Sequence, residues 1–334
     1  MAKLRIGLVC AAIAASMAIG PALGNEHVKI GSLKATNVGP AFIAKEKGYF
    51  AAEGLDVDFT YFESAQPVAV GVAAGSLDFA CTSISAGMYT LAGQGLIKIV
   101  SGMYSEAPGF HNFGIAASLK AYAAGLQSYK DLPGHSIAIS QVGSPVHYSL
   151  ALIAEKYKFD LASLRIEPLQ GITQQISALV GNQVDASVTN ANATLPVLQS
   201  GQAKLLGWIG DETPWQAAVV ATRTKMIAEH PATVAAFLRA FKRGTRDYHD
   251  AFTGPDERPQ DGPDAAAALA ILVKYTGQTP EQVRASIAYV ERDGRIDVKD
   301  ILHQVAWFKA QKMVKDEVDA AAVMDMTYVV PLPR

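Results

Sequence analysis

Apolar and polar positions along the first half of the chain follow two periods, one typical of β-strands and one typical of α-helices. LDVDFTYF (55–62) alternates residue by residue, whereas SAQPVAVGVAAG (64–75) is typical of a helix that begins after Ser64 and ends at Gly75. The same reasoning predicts alternating strands and helices as far as residue 104. The predicted strands are 27–33, 55–62, 77–83 and 97–104, and the predicted helices are 39–54, 64–75 and 85–95.

The next hundred residues repeat this order of elements. The strand that contains Asp78 and Thr82 is answered by VDASVTN (184–190), which repeats them as Asp185 and Thr189 at a common displacement of 107 positions. We therefore expect an α/β fold of two similar lobes, each a mostly parallel sheet wrapped by helices. In this half the predicted strands are 135–140, 164–169, 184–190 and 203–210, and the predicted helices are 144–157, 173–183 and 192–201.

Two segments connect the predicted lobes. YSEAPGFHN (104–112) leads into the second lobe, and IGDETPWQ (209–216) leads back to the first. A connection made of two segments is a hinge about which the lobes can close on a ligand. The predicted boundaries are 25–108 and 211–334 for lobe 1, with a mainly helical remainder from about 224, and 109–210 for lobe 2.

The N-terminus has the pattern of an export signal. Lys3 and Arg5 precede the apolar run IGLVCAAIAASMAIG, and Ala22 and Gly24 then occupy the positions of a small-residue cleavage site. We expect residues 1–24 to be removed after Gly24, which leaves a soluble periplasmic chain. The alternative is a buried N-terminal helix. No second apolar run approaches the roughly 20 residues that a membrane-spanning helix needs.

Composition excludes several classes of function. The chain has 334 residues, of which 50% are apolar and 18% charged, and a net charge of −2, so a large core is expected and a nucleic-acid surface is not. A transcription regulator's sensor domain is disfavoured because no helix-turn-helix or basic segment is present. Nucleotide, hydrolase and metalloprotease motifs such as GxGxxG, GxSxG and HExxH are missing, and we predict no cofactor, metal site or catalytic residue.

The loops that follow the predicted strands carry the candidate chemistry. In open parallel sheets, ligands bind beyond the carboxyl ends of the strands. These loops are rich in Ser, Thr, Asn and Gln, with one cation, Lys34, and one carboxylate, Glu63, and several open into a helix N-terminus that favours an anion. They predict a site for a small anion. The selected loops are 32–37, 63–65, 82–85, 141–145, 170–173 and 189–192.

Several residues allow two interpretations. Gly143, Ser144 and Pro145 form either an ordinary helix start or one that faces a ligand, and His147 is either packed or functional. Trp215, like Phe110, lies in a connecting segment and either covers a ligand or packs the hinge. Cys81, the one cysteine of the expected mature chain, is either a buried small residue or a nucleophile.

Three segments resemble a known family. VGPAFIAKEKGYFAAEGLDVDFTYF (38–62), VAAGSLDFACTS (72–83) and DLPGHSIAIS (131–140) are similar to the solute-binding components of ABC importers for nitrate, sulfonate and taurine. This broad family also contains the thiamine-precursor binding proteins. The resemblance covers about 28–225. It implies a two-lobed type II periplasmic binding fold and, as partners, a membrane permease with its ATPase.

The resemblance also implies which positions contact the ligand. They are Lys34, Asn37, Thr82, Ser83, Ser140, Gly143, Ser144, His147, Thr189 and Asn190, and Trp215 is added as a candidate from the hinge.

Two functions compete for this chain. The leading hypothesis is a monomeric periplasmic protein that captures a small organic anion, such as a sulfonate, a carboxylate or an aromatic acid. The first strand-end loop, SLKATNVGP (32–40), lacks the Trp and Pro-Asn of the thiamine-precursor branch, which argues against a pyrimidine ligand. The alternative is an enzyme on the same scaffold, similar to the sulfinate desulfinases, with Cys81 as nucleophile.

Overall fold

The computed structural model describes residues 25–333; the predicted signal peptide and its cleavage site at Gly24 lie outside them. The strands are β1 Glu26–Ser32, β2 Leu55–Tyr61, β3 Phe79–Ser83, β4 Ile97–Glu106, β5 Phe113–Ser118, β6 Ser136–Ile139, β7 Arg165–Pro168, β8 Ala186–Asn190, β9 Ala203–Trp208 and β10 Trp215–Arg223. The helices are α1 Gly39–Glu46, α2 Tyr49–Ala52, α3 Ala65–Ala74, α4 Ala86–Gly93, α5 Leu119–Ala123, α6 Pro145–Tyr157, α7 Ile172–Val180, α8 Ala191–Gln199, α9 Ile209–Glu212, α10 Thr224–Glu229, α11 Pro231–Phe252, α12 Ala265–Thr276, α13 Pro280–Ala285 and α14 Val298–Ala310.

Two five-stranded sheets with the same internal order form the framework. The first has the order β2-β1-β3-β10-β4 and the second the order β7-β6-β8-β5-β9. Within each sheet one strand is antiparallel to its neighbours, β10 in the first and β5 in the second. The predicted fold class, two similar mostly parallel sheets wrapped by helices, is confirmed. We call the first sheet with its helices lobe 1 and the second sheet with its helices lobe 2.

The two antiparallel strands are the ones that arrive from the other lobe. The chain leaves the first sheet after Glu106 and enters the second at Phe113, and it leaves the second after Trp208 and returns at Trp215. The two connections touch each other, because a Cβ atom added to Gly210 would lie 2.8 Å from the carbonyl oxygen of Ala107. The exact lobe boundaries, 108/109 and 210/211, stay predictions.

Two local predictions need correction. The helix expected over 39–54 is interrupted, because Gly48 adopts a left-handed conformation with φ of 71° and separates α1 from α2. Ser64 does precede α3 in an extended conformation, but its side chain makes no capping hydrogen bond. Gly75 ends α3 with φ of 84°, as expected.

The repeated aspartates hold corresponding strands together. Asp78, before β3, accepts a hydrogen bond from the backbone N–H of Lys29 on β1 at 2.9 Å, and pairs with Arg223 at 3.0 Å. Asp185, before β8, accepts from the backbone N–H of Ser136 on β6 at 2.8 Å and from the Ser136 hydroxyl at 3.0 Å. Each carboxylate satisfies a strand N–H that the sheet ladder leaves free, so the sequence repeat corresponds to one structural device used twice.

Buried apolar residues of lobe 1 continue into the C-terminal helices. Phe79 of β3 stacks on Phe237 of α11 with ring centroids 3.7 Å apart. Gly244 lets α11 approach α1 closely, because a Cβ there would collide with the carbonyl of Pro40. The helical tail is therefore part of the lobe 1 core. Among residues 25–333, no helix combines the length and apolar character needed to cross a membrane.

Replacing Asp185 with Ala should lower the free energy of unfolding by about 1–2 kcal/mol, because it leaves the Ser136 N–H without its charged acceptor. Asp78→Ala should have a similar effect through Lys29 and Arg223. Urea unfolding followed by circular dichroism measures both. Glu167→Ala, which removes an exposed carboxylate on β7, is the matched control and should change stability little. Equal effects of all three variants would contradict the proposed role of the aspartates.

Candidate ligand-binding site

A cavity of about 840 Å³ lies where the carboxyl ends of the two sheets face each other. Lobe 1 contributes the ends of β1, β2, β3 and β4, and lobe 2 contributes the start of β5, the first residue of α7 and the region where β8 meets α8. This volume is within the range of pockets for small organic molecules, about 300–1,000 Å³. The geometry therefore brings polar residues of both lobes around one shared space.

Four of the predicted ligand contacts line this cavity: Lys34, Asn37, Ser83 and Asn190. Lys34 and Asn37 belong to the loop after β1. Ser83 and Asn190 are the last residues of β3 and β8, and they are separated by the same 107 positions as the aspartates. Equivalent strands thus present their final side chains from opposite sides.

Thr82 and Thr189 point away from the cavity. Each threonine directly precedes a lining residue, and successive side chains of a strand point to opposite faces. Both threonines are buried. Thr189 Oγ1 is 2.7 Å from Thr194 Oγ1, and Thr82 Oγ1 has no hydrogen-bond partner among the described residues. These two threonines lie outside the cavity lining.

The loop between β6 and α6 contacts lobe 1 instead of lining the cavity. Its Gly143 carbonyl accepts a hydrogen bond from the Ala86 N–H at the start of α4, at 3.1 Å. Ser144 caps α6 by accepting from the His147 N–H, and His147 Nδ1 accepts from the Gly143 N–H at 3.2 Å. Burial lowers the pKa of His147 to about 4, so the ring is neutral. Like these residues, Ser140 is outside the lining.

The aromatic rings of the hinge are packed. Trp215 is buried, with its ring edge-on to Tyr148 at 5.6 Å. Phe110 is also buried and meets Tyr289 edge-on at 5.5 Å. Both rings therefore lie outside the cavity lining, which favours the packing interpretation.

The cavity contains further residues that the strand-end rule did not select. Tyr61 belongs to β2 itself, and Asn112 and Phe113 lie where the antiparallel strand β5 begins, an end that the rule does not consider. Gln278 and Ser286 come from the C-terminal tail, where the sequence carried no recognisable signal. The remaining polar and aromatic additions are Thr60, Phe59, Phe62 and Tyr104, whereas Thr36 and Asn192 lie within the selected loops 32–37 and 189–192.

The charged groups of the lining are few. Over the described part of the chain they are Lys34 and Glu63. The Lys34 ammonium group lies 5.1 Å from the centre of the Tyr61 ring, a cation–π distance that holds the charge beside an aromatic surface. Most hydrogen bonds to a ligand in this cavity must therefore come from hydroxyl and amide groups.

A buried carboxyl group lies directly behind the lining. Glu106 is 1% exposed, and its Oε1 accepts a hydrogen bond from the Asn112 side-chain amide at 2.8 Å. Its Oε2 has no hydrogen-bond partner within residues 25–333. Burial raises the pKa of Glu106 to about 8, although hydrogen bonds from Asn112 and from the Phe113 N–H act in the opposite direction. At neutral pH the hinge therefore carries an uncharged acid beside the cavity.

Hydrogen bonds also connect the lobes at the cavity wall. The side-chain amide of Asn192, in the first turn of α8, donates to Gln278 Oε1 and to Ser286 Oγ, each at 3.2 Å. Ser286 Oγ is in turn 2.8 Å from the hydroxyl of Thr36 in the loop after β1. Lobe 2, the C-terminal tail and the first strand-end loop thus form one polar network.

Cys81 does not line the cavity. It is fully buried in β3, and burial raises the pKa of its thiol well above the usual value. A nucleophilic cysteine needs the opposite environment, one that favours the thiolate. Residues 25–333 also contain no group of three or more His, Cys, Asp or Glu side chains that could hold a metal ion.

The profile of the family described as NMT1/THI5 like matches residues 35–257, more than half of the chain. The protein belongs to this family. Gln278 and Ser286, which complete the cavity, lie beyond the matched segment.

Two curated proteins are similar in sequence to this chain. A protein of Bacillus subtilis (strain 168) named "Putative aliphatic sulfonates-binding protein" is 28% identical over 217 residues, 62% of this chain and 61% of its own. The riboflavin-binding protein RibY of Chloroflexus aurantiacus is 30% identical over 224 residues, 65% of this chain and 60% of its own. The chain thus spans about three fifths of the length of the curated relatives that it matches.

Solved structures show the same fold. The periplasmic aliphatic sulphonate binding protein SsuA of Escherichia coli superimposes with a TM-score of 0.70, covering 92% of this chain and 94% of SsuA at 14% identity. At this identity the likeness concerns the two-lobed architecture.

The pH dependence of stability should reveal Glu106. Because its pKa is raised from 4.5 to about 8, the folded state holds this proton more tightly than the unfolded state. The stability that the protonated Glu106 contributes is fully present below pH 4.5 and is lost as pH rises from 4.5 to about 8. Because Gln does not ionise, the free energy of unfolding of Glu106→Gln should rise relative to that of the natural protein between pH 4.5 and about 8. Above about pH 8 the difference between the two proteins should be constant. Melting temperatures from pH 5 to 9 measure this, with Glu167→Gln as control; a pH-independent difference would contradict a neutral Glu106.

The thiol of Cys81 should resist alkylation in the folded protein. Complete burial and a raised pKa both suppress the reactive thiolate. Mass spectrometry after iodoacetamide treatment should show no adduct on Cys81 in native buffer and full modification in urea. Rapid modification of the native protein would revive the nucleophile hypothesis.

Proposed function

We propose that the protein is the periplasmic substrate-binding component of an ABC importer. It acts as a monomer, captures a small organic anion between its lobes, and delivers it to a membrane permease and its ATPase. The observation that carries this proposal is the cavity itself, which is lined from both lobes by hydroxyls, amides and aromatic rings, with one ammonium group, Lys34, and one carboxylate, Glu63. The export signal predicted at residues 1–24 supports a periplasmic location.

The names of relatives support an anionic ligand. The Bacillus protein and the Escherichia coli structure are both named for binding aliphatic sulfonates. The cavity contains Lys34 as a counter-charge together with the carboxylate of Glu63, and the uncharged form of Glu106 avoids repelling an anion from behind the lining. Sulfonates, carboxylates and aromatic acids are all compatible with this arrangement.

Binding is coupled to closure because the ligand contacts both lobes. A ligand that touches Lys34 and Ser83 on one side and Asn190 on the other stabilises the closed arrangement over any open one. The flexible part is the pair of connecting segments near Glu106 and Gly210, and the lobes move as units. The permease then distinguishes the closed, loaded protein from the open one.

Native mass spectrometry of the protein exported by its own host should reveal a bound organic anion. Lys34→Gln should weaken that anion's binding about tenfold, because it removes a charge-assisted contact. Lys130→Gln, a change at an exposed lysine outside the cavity lining, is the matched control and should leave affinity unchanged. Isothermal titration calorimetry compares the three proteins. Absence of any bound molecule, together with no stabilisation by any sulfonate or carboxylate, would contradict the proposed function.

A further inference from the structure

Aromatic rings from both lobes line the cavity. Tyr61 and Phe62 stand at the end of β2 in lobe 1, and Phe113 stands at the start of β5 in lobe 2; all three are half-buried. Phe59, which also lines the cavity, stacks beside Tyr61 with ring centroids 6.0 Å apart and extends this aromatic surface. Nitrate or a short alkanesulfonate would occupy only a small part of about 840 Å³ and leave these rings without contacts.

Asn192, a residue of the lining, carries a buried acceptor atom that has no partner within residues 25–333. The N–H groups of the Asn192 amide are engaged by Gln278 and Ser286, which orients the amide. Its Oδ1 atom has no hydrogen-bond partner among the residues that the structure describes. An amide oxygen only accepts hydrogen bonds, so a ligand can satisfy it only by donating an O–H or N–H.

The buried hydroxyl of Tyr104, another residue of the lining, lies beside the side chains of Ser83, Asn112 and Asn37, which oppose the rise in its pKa that burial causes. A phenol either donates or accepts, so this group is compatible with both a ligand donor and a ligand acceptor. The requirement for a donor on the ligand therefore rests on Asn192 alone.

We infer that the ligand is an aromatic acid whose ring carries a hydroxyl or amino group, of the size of a hydroxybenzoate or aminobenzoate. This inference rests on the proposed function and narrows its ligand class. The acid group is matched by Lys34, the ring by Tyr61, Phe62 and Phe113, and the ring donor by Asn192 Oδ1. A site built to hydrogen-bond one substituent discriminates against analogues that lack it, because its buried polar atom is then left unpaired.

Calorimetric titration with a matched panel tests the ligand class. The panel consists of 3- and 4-hydroxybenzoate, 4-aminobenzoate, benzoate, cyclohexanecarboxylate, butane-1-sulfonate and nitrate. At least one ring-donor acid should bind most tightly, benzoate about tenfold more weakly, and the non-aromatic anions more weakly still. Calorimetry is preferred because the aromatic ligands absorb where tryptophan is excited.

Two variants separate recognition by Asn192 from its contribution to lobe contact. Asn192→Ala removes both the acceptor and the interlobe hydrogen bonds. The variant should therefore bind the ring-donor acid and benzoate with about equal affinity, instead of preferring the ring-donor acid about tenfold. Ser286→Ala is the matched control, because it removes one partner of the Asn192 amide, whereas Gln278 still orients that amide and Oδ1 is retained. It should alter the affinities for both ligands by the same factor and preserve their ratio.

The outcomes distinguish this inference from the proposed function. Tightest binding of butane-1-sulfonate, nitrate or cyclohexanecarboxylate would overturn the aromatic class and leave the binding function intact. Equal affinity for benzoate and the ring-donor acids, or an unchanged ratio in Asn192→Ala, would overturn the role of Asn192. If no member of the panel binds although native mass spectrometry finds another bound anion, the ligand class is wrong; if neither method finds a ligand, both proposals fail.

Discussion

Each sheet is completed by a strand that arrives from the other lobe and runs against its neighbours. β10 lies between β3 and β4, and β5 lies between β8 and β9. Because the other four strands of each sheet are parallel, their carboxyl ends and the amino end of the crossing strand meet at the same edge. This arrangement puts both connecting segments next to the cavity, so a ligand there would lie beside the segments that act as the hinge in the proposed closure.

The 107-residue repeat has different consequences at the two ends of the same strands. At the start of β3 and β8, Asp78 and Asp185 accept backbone N–H groups from the neighbouring strand and so hold the sheets together. At the end of these strands, Ser83 and Asn190 face the cavity. The strand starts that stabilise each lobe are thus one strand length away from the strand ends that face the cavity. Substitutions among the lining residues can therefore leave the sheet contacts of Asp78 and Asp185 intact.

Burial in the hinge links electrostatics to recognition. Glu106 keeps its proton at neutral pH because the carboxylate would lose its hydration there, and it orients Asn112, which lines the cavity. Across the cavity, Gln278 and Ser286 orient Asn192 in the same manner. Both asparagines are therefore held by residues outside the strand-end loops, and the direction in which each amide faces a ligand depends on these supports.

The amino-acid pattern by itself determined the order of elements, the two similar sheets and the strand-end loops 32–37, 82–85 and 189–192, which supply Lys34, Asn37, Ser83 and Asn190 to the lining. These follow from periodicity and from the strand-end rule, which are local properties of the chain. Tertiary structure alone decided that the loop from Gly143 to His147 packs against lobe 1, and that the tail supplies Gln278 and Ser286. Those contacts join residues far apart in sequence, and their formation depends on how whole lobes pack together, which no local pattern encodes.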